Sequence, residues 1–261
     1  HLALHAPRIV ALGAYYGLRL KLGGGPIHYN VRPDEVLGAG HVEGIRYRSG
    51  NRQREIECDA LAYGFALRPE TQLADLAGCD FGFNERDRAW LPVADALGRT
   101  SESGVYVAGD GAGIAGADAA EIRGRLAAIA MIRDLGGTAD PALEQRLISE
   151  LDAVYRQRLI LEKAFPFPHD WFETVGQDVT LCRCEEIKLS EARSVIRDGN
   201  ASEINRLKAL SRVGMGRCQG RMCTAAAAEL LGSMQDKSPS QAGRIRAQAP
   251  VKPIPLGFGA N

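Results

Sequence analysis

Apolar residues recur at helical spacing over residues 8–22 (Ile9, Leu12, Tyr16, Leu20), and Gly23-Gly24-Gly25-Pro26 ends the run. Glycine favours the helix end, and proline removes a backbone donor, so no helix continues through that sequence. Residues 27–30 then read as a strand. A glycine run that precedes a strand instead of following one is a turn, not a phosphate cradle. Residues 42–48 and 54–58 flank Ser49-Gly50-Asn51, a pattern that predicts a hairpin with turn chemistry at its tip. Residues 59–66 are apolar enough for a buried strand and lead into Arg68-Pro69-Glu70-Thr71.

Further along, residues 104–108 form a short β-branched stretch followed by Gly109-Asp110-Gly111-Ala112-Gly113. Strand, glycine loop and helix in that order are an element of a dinucleotide-binding fold. The helix is predicted from Asp118, which stands at capping-box spacing from Glu121. It carries an Ile122, Leu126, Ile129 stripe and stops at Gly136-Gly137. Asp140-Pro141 opens another helix with Leu143, Leu147, Leu151 and Val154 on one face. Phe165-Pro166-Phe167-Pro168 ends it and marks a domain boundary. Three short helices follow, over residues 190–197, 202–210 and 222–234. The tail from Ser238, with four prolines, is expected to run extended over the surface.

Composition narrows the function classes. The chain has 261 residues, 45% hydrophobic and 25% charged, enough for two modest domains and ordinary for a globular protein. Thirty-two basic residues balance 32 acidic ones, so no global field favours nucleic acid or an anionic membrane. No apolar run approaches the roughly 20 residues of a spanning helix. The first ten residues have no signal-peptide pattern. The chain opens at His1 without an initiator Met, almost at once inside a helix, and is expected to be part of a longer protein. The five histidines form no Ser/His/Asp or Cys/His pattern and read as surface or structural residues.

Of six cysteines, Cys58 and Cys79 stand alone and read as packed thiols. The other four form two tight pairs, Cys182-Arg183-Cys184 and Cys218-Gln219-Gly220-Arg221-Met222-Cys223, with 33 residues between them. Such clustering favours metal over disulfides, and a reducing compartment. Two thiolate pairs from two loops suit a four-sulfur site, and iron-sulfur is preferred over zinc, whose structural sites more often use C-x2-C knuckles or include histidine. An iron-sulfur cluster carries net negative charge. Cys218 and Cys223 straddle a glycine-rich loop that opens a helix, where free N–H groups supply compensation, and Arg183, Arg217 and Arg221 stand nearby. Gly214, Gly216 and Gly220 allow the backbone close approach to sulfur.

These residues carry a resemblance. Cys-Arg-Cys-Glu-Glu, followed by Leu-Lys-Ala-Leu-Ser-Arg-Val-Gly-Met-Gly-Arg-Cys-Gln-Gly-Arg-Met-Cys, resembles the bacterioferritin-associated-ferredoxin (BFD) type 2Fe-2S domain over residues 179 to about 231. The form resembles the one fused to flavoprotein subunits of opine oxidases, hydrogen cyanide synthase and related amino-acid dehydrogenases. The resemblance implies that Cys182, Cys184, Cys218 and Cys223 ligate the cluster. Gly104-Val105-Tyr106-Val107-Ala108-Gly109-Asp110 resembles the second FAD motif of flavoproteins with two dinucleotide-binding domains. There Asp110 would meet the ribityl hydroxyls, with Gly109 and Gly111 in the turn, and the helix N-terminus at Asp118 would face the isoalloxazine.

The fold class implied is α/β: a partial flavoprotein fold of that type followed by a small helical BFD-like domain. Residues 1–70 would be the remnant of an NAD-like domain and crossover, and 71–137 the C-terminal part of the FAD domain. A helical linker over 138–178, the cluster domain over 179–235 and a tail over 236–261 complete the division. No G-x-G-x-x-G element occurs before Ser103, so this chain alone is expected to bind FAD weakly, whereas the cluster domain is expected to fold independently. NAD(P) binding is left open.

The function implied is an electron-transferring subunit of a heteromeric amino-acid or opine dehydrogenase. A flavoprotein β subunit would oxidise the substrate, and a quinone or other carrier would accept the electrons. The expected location is the cytoplasm or the inner face of the membrane. An NAD(P)H-dependent reductase component and a non-catalytic cluster module for sensing or docking stand as alternatives.

Overall fold

The computed structural model describes residues 7–64, 67–164, 171–252 and 254. They group into two compact units. One contains the described parts of residues 1–66 and 159–167, the other those of 67–158 and 168–261.

The first unit opens with helix α1 (Pro7–Leu22), followed by strands β1 (Val31–Leu37), β2 (Gly44–Ser49) and β3 (Arg52–Glu57). The strands form one antiparallel sheet in the order β1-β2-β3. The expected hairpin is β2-β3, turning at Gly50 with φ of 60°. The sequence pattern misplaced the first strand: residues 27–30 are irregular, and β1 begins at Val31. Polar composition and Pro33 hid it, but the register shifts at Pro33, which lets an edge strand accommodate a residue without an N–H. Cross-strand ion pairs compensate for the missing apolar alternation. Arg46 joins Glu35 (2.5 Å) to Glu55 (2.7 Å), and Arg48 meets Asp34 at 2.7 Å. No strand forms at residues 59–64, which pair with no strand among the described residues; the last two residues of that expected strand lie outside the described residues.

The second unit begins with a short helix α2 (Gln72–Leu76) and a hairpin of β4 (Phe81–Asn84) and β5 (Ala89–Pro92). Residues 104–108 do not form the expected strand. They make a single bridge, Arg99 to Tyr106, because no parallel neighbour lies alongside among the described residues.

Helix α3 (Ala117–Asp134) starts one residue before Asp118, with Gly116 as its N-cap at φ of 93° and no side-chain cap. The expected Asp118–Glu121 capping box is therefore absent. Asp118 sits in the first turn, where its charge complements the helix dipole. Helix α4 (Pro141–Ala164) packs the predicted stripe against α3. Leu147 is fully buried, Leu151 nearly so, and Leu126 and Ile129 face them. The boundary expected at residues 165–168 lies outside the described residues.

After a one-turn helix α5 (Trp171–Thr174), a small hairpin of β6 (Thr180–Cys182) and β7 (Ile187–Lys188) precedes three helices: α6 (Leu189–Asp198), α7 (Ile204–Ser211) and α8 (Thr224–Met234). These match the predicted helices to within two residues. Glu191 accepts the Lys188 backbone N–H at the start of α6, and Glu203 caps α7 by accepting from Asn205 (2.8 Å) and Arg206. Leu189, Ile204, Leu207, Leu230 and Leu231 are buried at 1% exposure or less. Each such side chain contributes roughly 1.5–3 kcal/mol to stability.

The described part of the tail is not extended throughout, because its first residues form a helix against the core. Helix α9 (Pro239–Ala242) is capped by Ser238, Ala242 is fully buried, and Ile245 packs against the same core. The tail's sparse apolar residues suffice because Trp90 Nε1 donates to the Gly243 carbonyl at 3.2 Å and fastens the backbone.

Candidate cluster and flavin sites

Cys182 ends β6 and Cys223 is the N-cap of α8, at 1% and 2% exposure. Cys184 lies in the β6-β7 turn and Cys218 in the loop between α7 and α8, both half-buried. The four thiols are electrostatic neighbours: Cys218 and Cys182 both act on Cys184, and Cys182 and Cys218 both act on Cys223. Among the described residues no three His, Cys, Asp or Glu side chains close on one point as a single metal ion requires.

The loop that carries Cys218 is shaped around sulfur. Burial works against the Cys218 thiolate, yet the backbone N–H groups of Met222, Gly220 and Arg221 and the Cys184 thiol donate to it and lower its pKa. The Cys218 backbone N–H favours the Cys184 thiolate, but the Cys218 sulfur, burial and Cys182 outweigh it and raise the Cys184 pKa. Burial, then the neighbouring Cys182, pushes the Cys223 thiol far up. A bound metal reverses that order, because a coordinated thiol is deprotonated. Gly216 has no room for a side chain: a Cβ there would lie 2.3 Å from Cys184 Cβ. Gly220, at φ of 84°, would set a Cβ 2.5 Å from Thr224 Oγ1. Cys79 lies outside this group, and Cys58 belongs to the first unit. Cys79 is buried against Thr100 Oγ1 at 3.4 Å, and Cys58 is half-buried.

The nearby arginines divide. Arg183 and Arg217 are exposed. Arg221 is tied down: its guanidinium donates to the carbonyls of Cys218 (3.1 Å) and Val251 (2.7 Å) and pairs with Glu70. One residue after Cys218, the Gln219 carbonyl accepts from Gln72 Nε2 at 2.7 Å. More contacts bind the helical module to residues 67–92. Arg88 pairs with Glu229, Arg244 pairs with Asp75 at 2.7 Å, and the Arg244 guanidinium stacks 4.1 Å from the Phe81 ring centre. None of these partners was legible in the sequence, because each pair spans more than 140 positions.

Residues Gly109–Ala112 form one 3-10 turn between glycines in left-handed conformations, Gly109 at φ of 60° and Gly113 at 110°. Asp110 is exposed on this turn and Gly111 is half-buried. Asp118 is exposed in the first turn of α3, on the next helix along. Arg123 on α3 fixes the turn. It donates to the Gly109 carbonyl at 2.9 Å and to the Gly113 carbonyl, while Tyr155 of α4 holds its other arm. On the far side Gly111 backs onto the Glu70 carbonyl, 3.4 Å from where a Cβ would stand. Arg123 was missed in the sequence, where it is one arginine of an ordinary helix.

Comparison with known proteins matches residues 180–233, which contain all four paired cysteines, to the BFD-like 2Fe-2S binding domain. The chain is 38% identical to one of the subunits of opine oxidase from Agrobacterium tumefaciens (strain Ach5), over 87% of this chain and 46% of that protein. It is 30% identical to hydrogen cyanide synthase subunit HcnB of Pseudomonas aeruginosa, over 93% of this chain and 54% of that protein. A crystal structure of L-proline dehydrogenase from P. horikoshii superposes with a TM-score of 0.72 at 25% identity, over 88% of this chain and 44% of that one. The chain spans about half the length of the curated relatives it matches. Residues 180–233 are thus a BFD-like 2Fe-2S binding domain, carried behind a mixed α/β stretch with the fold of a flavoprotein dehydrogenase.

Proposed function

We propose that this chain belongs to an electron-transferring subunit of a heteromeric oxidoreductase, in which a 2Fe-2S cluster relays electrons between a flavin and an acceptor. The observation that carries the reading is that Cys182, Cys184, Cys218 and Cys223, brought by two loops within electrostatic reach of one another, all lie inside a segment of the 2Fe-2S family. A cluster of two irons takes two thiolates at each iron, whereas a zinc ion asks for a single convergent set. The N–H groups aimed at Cys218 favour the negative charge that such a centre carries.

In this reading all four cysteines are ligands. Asp110 accepts hydrogen bonds from the ribityl hydroxyls of FAD, Gly109 and Gly111 keep the backbone clear, and the N-terminus of α3 at Asp118 faces the flavin ring. Flavin supplies two-electron chemistry and the cluster passes electrons singly. Arg123 keeps the Asp110 turn in shape, and burial of Cys182 and Cys223 keeps water from the cluster. The domain limits are read at residues 70, 137, 178 and 235. The first two relatives named are subunits of an oxidase and a synthase, which supports a partner chain that oxidises an amino acid or opine. The acceptor is a quinone or another carrier, and the site of action is the cytoplasm or the inner membrane face. No helix among the described residues is long and apolar enough to cross a membrane.

Anaerobic reconstitution with iron and sulfide tests the cluster. Equal iron and acid-labile sulfide, with an electron paramagnetic resonance signal on one-electron reduction, are expected. Retention of zinc alone sinks the reading. Reduction of that cluster by substrate, seen only when a flavoprotein partner is present, tests the relay.

A further inference from the structure

We infer that Arg221 is a positioning residue that latches the cluster loop to the segment behind the Asp110 turn, and that its ion pair with Glu70 biases the reduction potential of the cluster; this rests on the function proposed above. Arg221 acts on Cys218 twice. Its backbone N–H donates to the Cys218 carbonyl at 3.2 Å, and its guanidinium donates to the same carbonyl at 3.1 Å. The same guanidinium pairs with Glu70, whose own carboxylate also accepts the Gln72 N–H at 2.9 Å. Gln72 in turn reaches the Gln219 carbonyl at 2.7 Å. The Cys218–Arg221 turn is therefore held at Gln219 and at Arg221 by residues 70–72, and Glu70 is the residue against which Gly111 packs. Two side chains link the loop that holds a cluster ligand to the turn assigned to flavin.

The pair is also electrostatically asymmetric with respect to the cluster. The Arg221 side chain is 24% exposed and that of Glu70 is 45% exposed, so the positive member is the better shielded from water. An added electron on the cluster is favoured by the arginine and opposed by the glutamate. The opposite signs separate this role from simple scaffolding, which would shift the potential without regard to the charge removed.

The test uses the full chain reconstituted with iron and sulfide, in four forms: unaltered, Arg221→Gln, Glu70→Gln and both together. Redox titration reads the midpoint potential, and hydrogen exchange reads the latch. Arg221→Gln is expected to lower the potential, Glu70→Gln to raise it, and the double variant to return close to the unaltered value. Amides of residues 218–222 are expected to exchange faster in Arg221→Gln and in the double variant than in the unaltered chain. Unchanged potentials, or shifts of the same sign in both single variants, overturn the inference. Glu70→Gln preserves shape, so it decides the sign even if Arg221→Gln fails to retain iron. Absence of any cluster in the unaltered chain defeats the function proposed above and not this pairing.

Discussion

Arg88 and Glu229 form a two-armed ion pair between the β4-β5 hairpin and α8, with Nε to Oε1 and Nη2 to Oε2 both at 2.6 Å. Their side chains are 14% and 9% exposed, so neither has water to fall back on. The helical module is therefore bound to residues 67–92 through charges whose separation would be costly. Together these residues form part of one compact unit, so the module does not stand apart from residues 67–158.

Removing one partner should be worse than removing both. Arg88→Met is expected to destabilise the chain by about 3–5 kcal/mol, because it strands a buried carboxylate. Arg88→Met with Glu229→Leu should recover most of that loss. Chemical denaturation followed by circular dichroism measures both, and equal loss in the single and double variants would contradict the account.

The cysteines should divide into two classes. Cys182→Ser and Cys223→Ser are expected to lose bound iron and visible absorption, while Cys58→Ser and Cys79→Ser keep both. Cys79 already lies in hydrogen-bond contact with Thr100 Oγ1, so a hydroxyl can take its place. Iron analysis after reconstitution reads the outcome, and a Cys79→Ser protein without iron would count against the assignment.

Gly216→Ala is expected to abolish cluster binding. Its Cβ would overlap Cys184 Cβ at 2.3 Å, and neither backbone can yield without moving a ligand. Gly124→Ala on α3 meets nothing within 4 Å and serves as the control. It is expected to be neutral or slightly stabilising by about 0.5–1 kcal/mol through helix propensity. Iron content and thermal denaturation of the two variants distinguish close approach from a general effect of glycine loss.

Acid sensitivity should trace to Asp134. Arg99 donates to it at 2.7 and 2.8 Å, Tyr106 donates at 2.6 Å, and together they lower its pKa from 3.8 to about 2. A depressed folded-state pKa means that the stabilisation is fully present above 3.8 and is lost as pH falls through about 2. Asp134→Asn is expected to flatten that part of the stability profile. The network is exposed, so added salt should shrink the difference. Identical acid limbs in the two proteins would remove Asp134 from the explanation.

Deleting residues 243–261 should damage the α/β half as well as the cluster module. It leaves Asp75, whose side chain is 12% exposed, without Arg244 and without the Ala247 N–H at 2.6 Å. Trp90 loses its acceptor at Gly243. A loss of about 3 kcal/mol and a red shift of tryptophan emission are expected. A truncated chain with unchanged stability would return the tail to the surface role its composition suggests.

The sequence alone determined what depends on near neighbours. Helical periodicity located α1, α3, α4 and the three helices of the cluster module, because an amphipathic stripe is written within a few turns. The cysteine spacing and the glycines around Cys218 marked the cluster site, since the loop must come close to sulfur wherever the rest of the chain lies. Tertiary structure decided what depends on distant partners. Residues 59–64 and 104–108 have the apolar character of strands but form none among the described residues, 104–108 bonding instead to the loop at residues 98–102, whereas polar β1 forms because β2 supplies its partners. Arg123, Arg221, Glu70 and the Arg88–Glu229 pair look like ordinary surface charges in sequence. They acquire roles only when the fold brings together carboxylates, carbonyls and guanidinium groups from far apart and removes the water that would otherwise have paired with them.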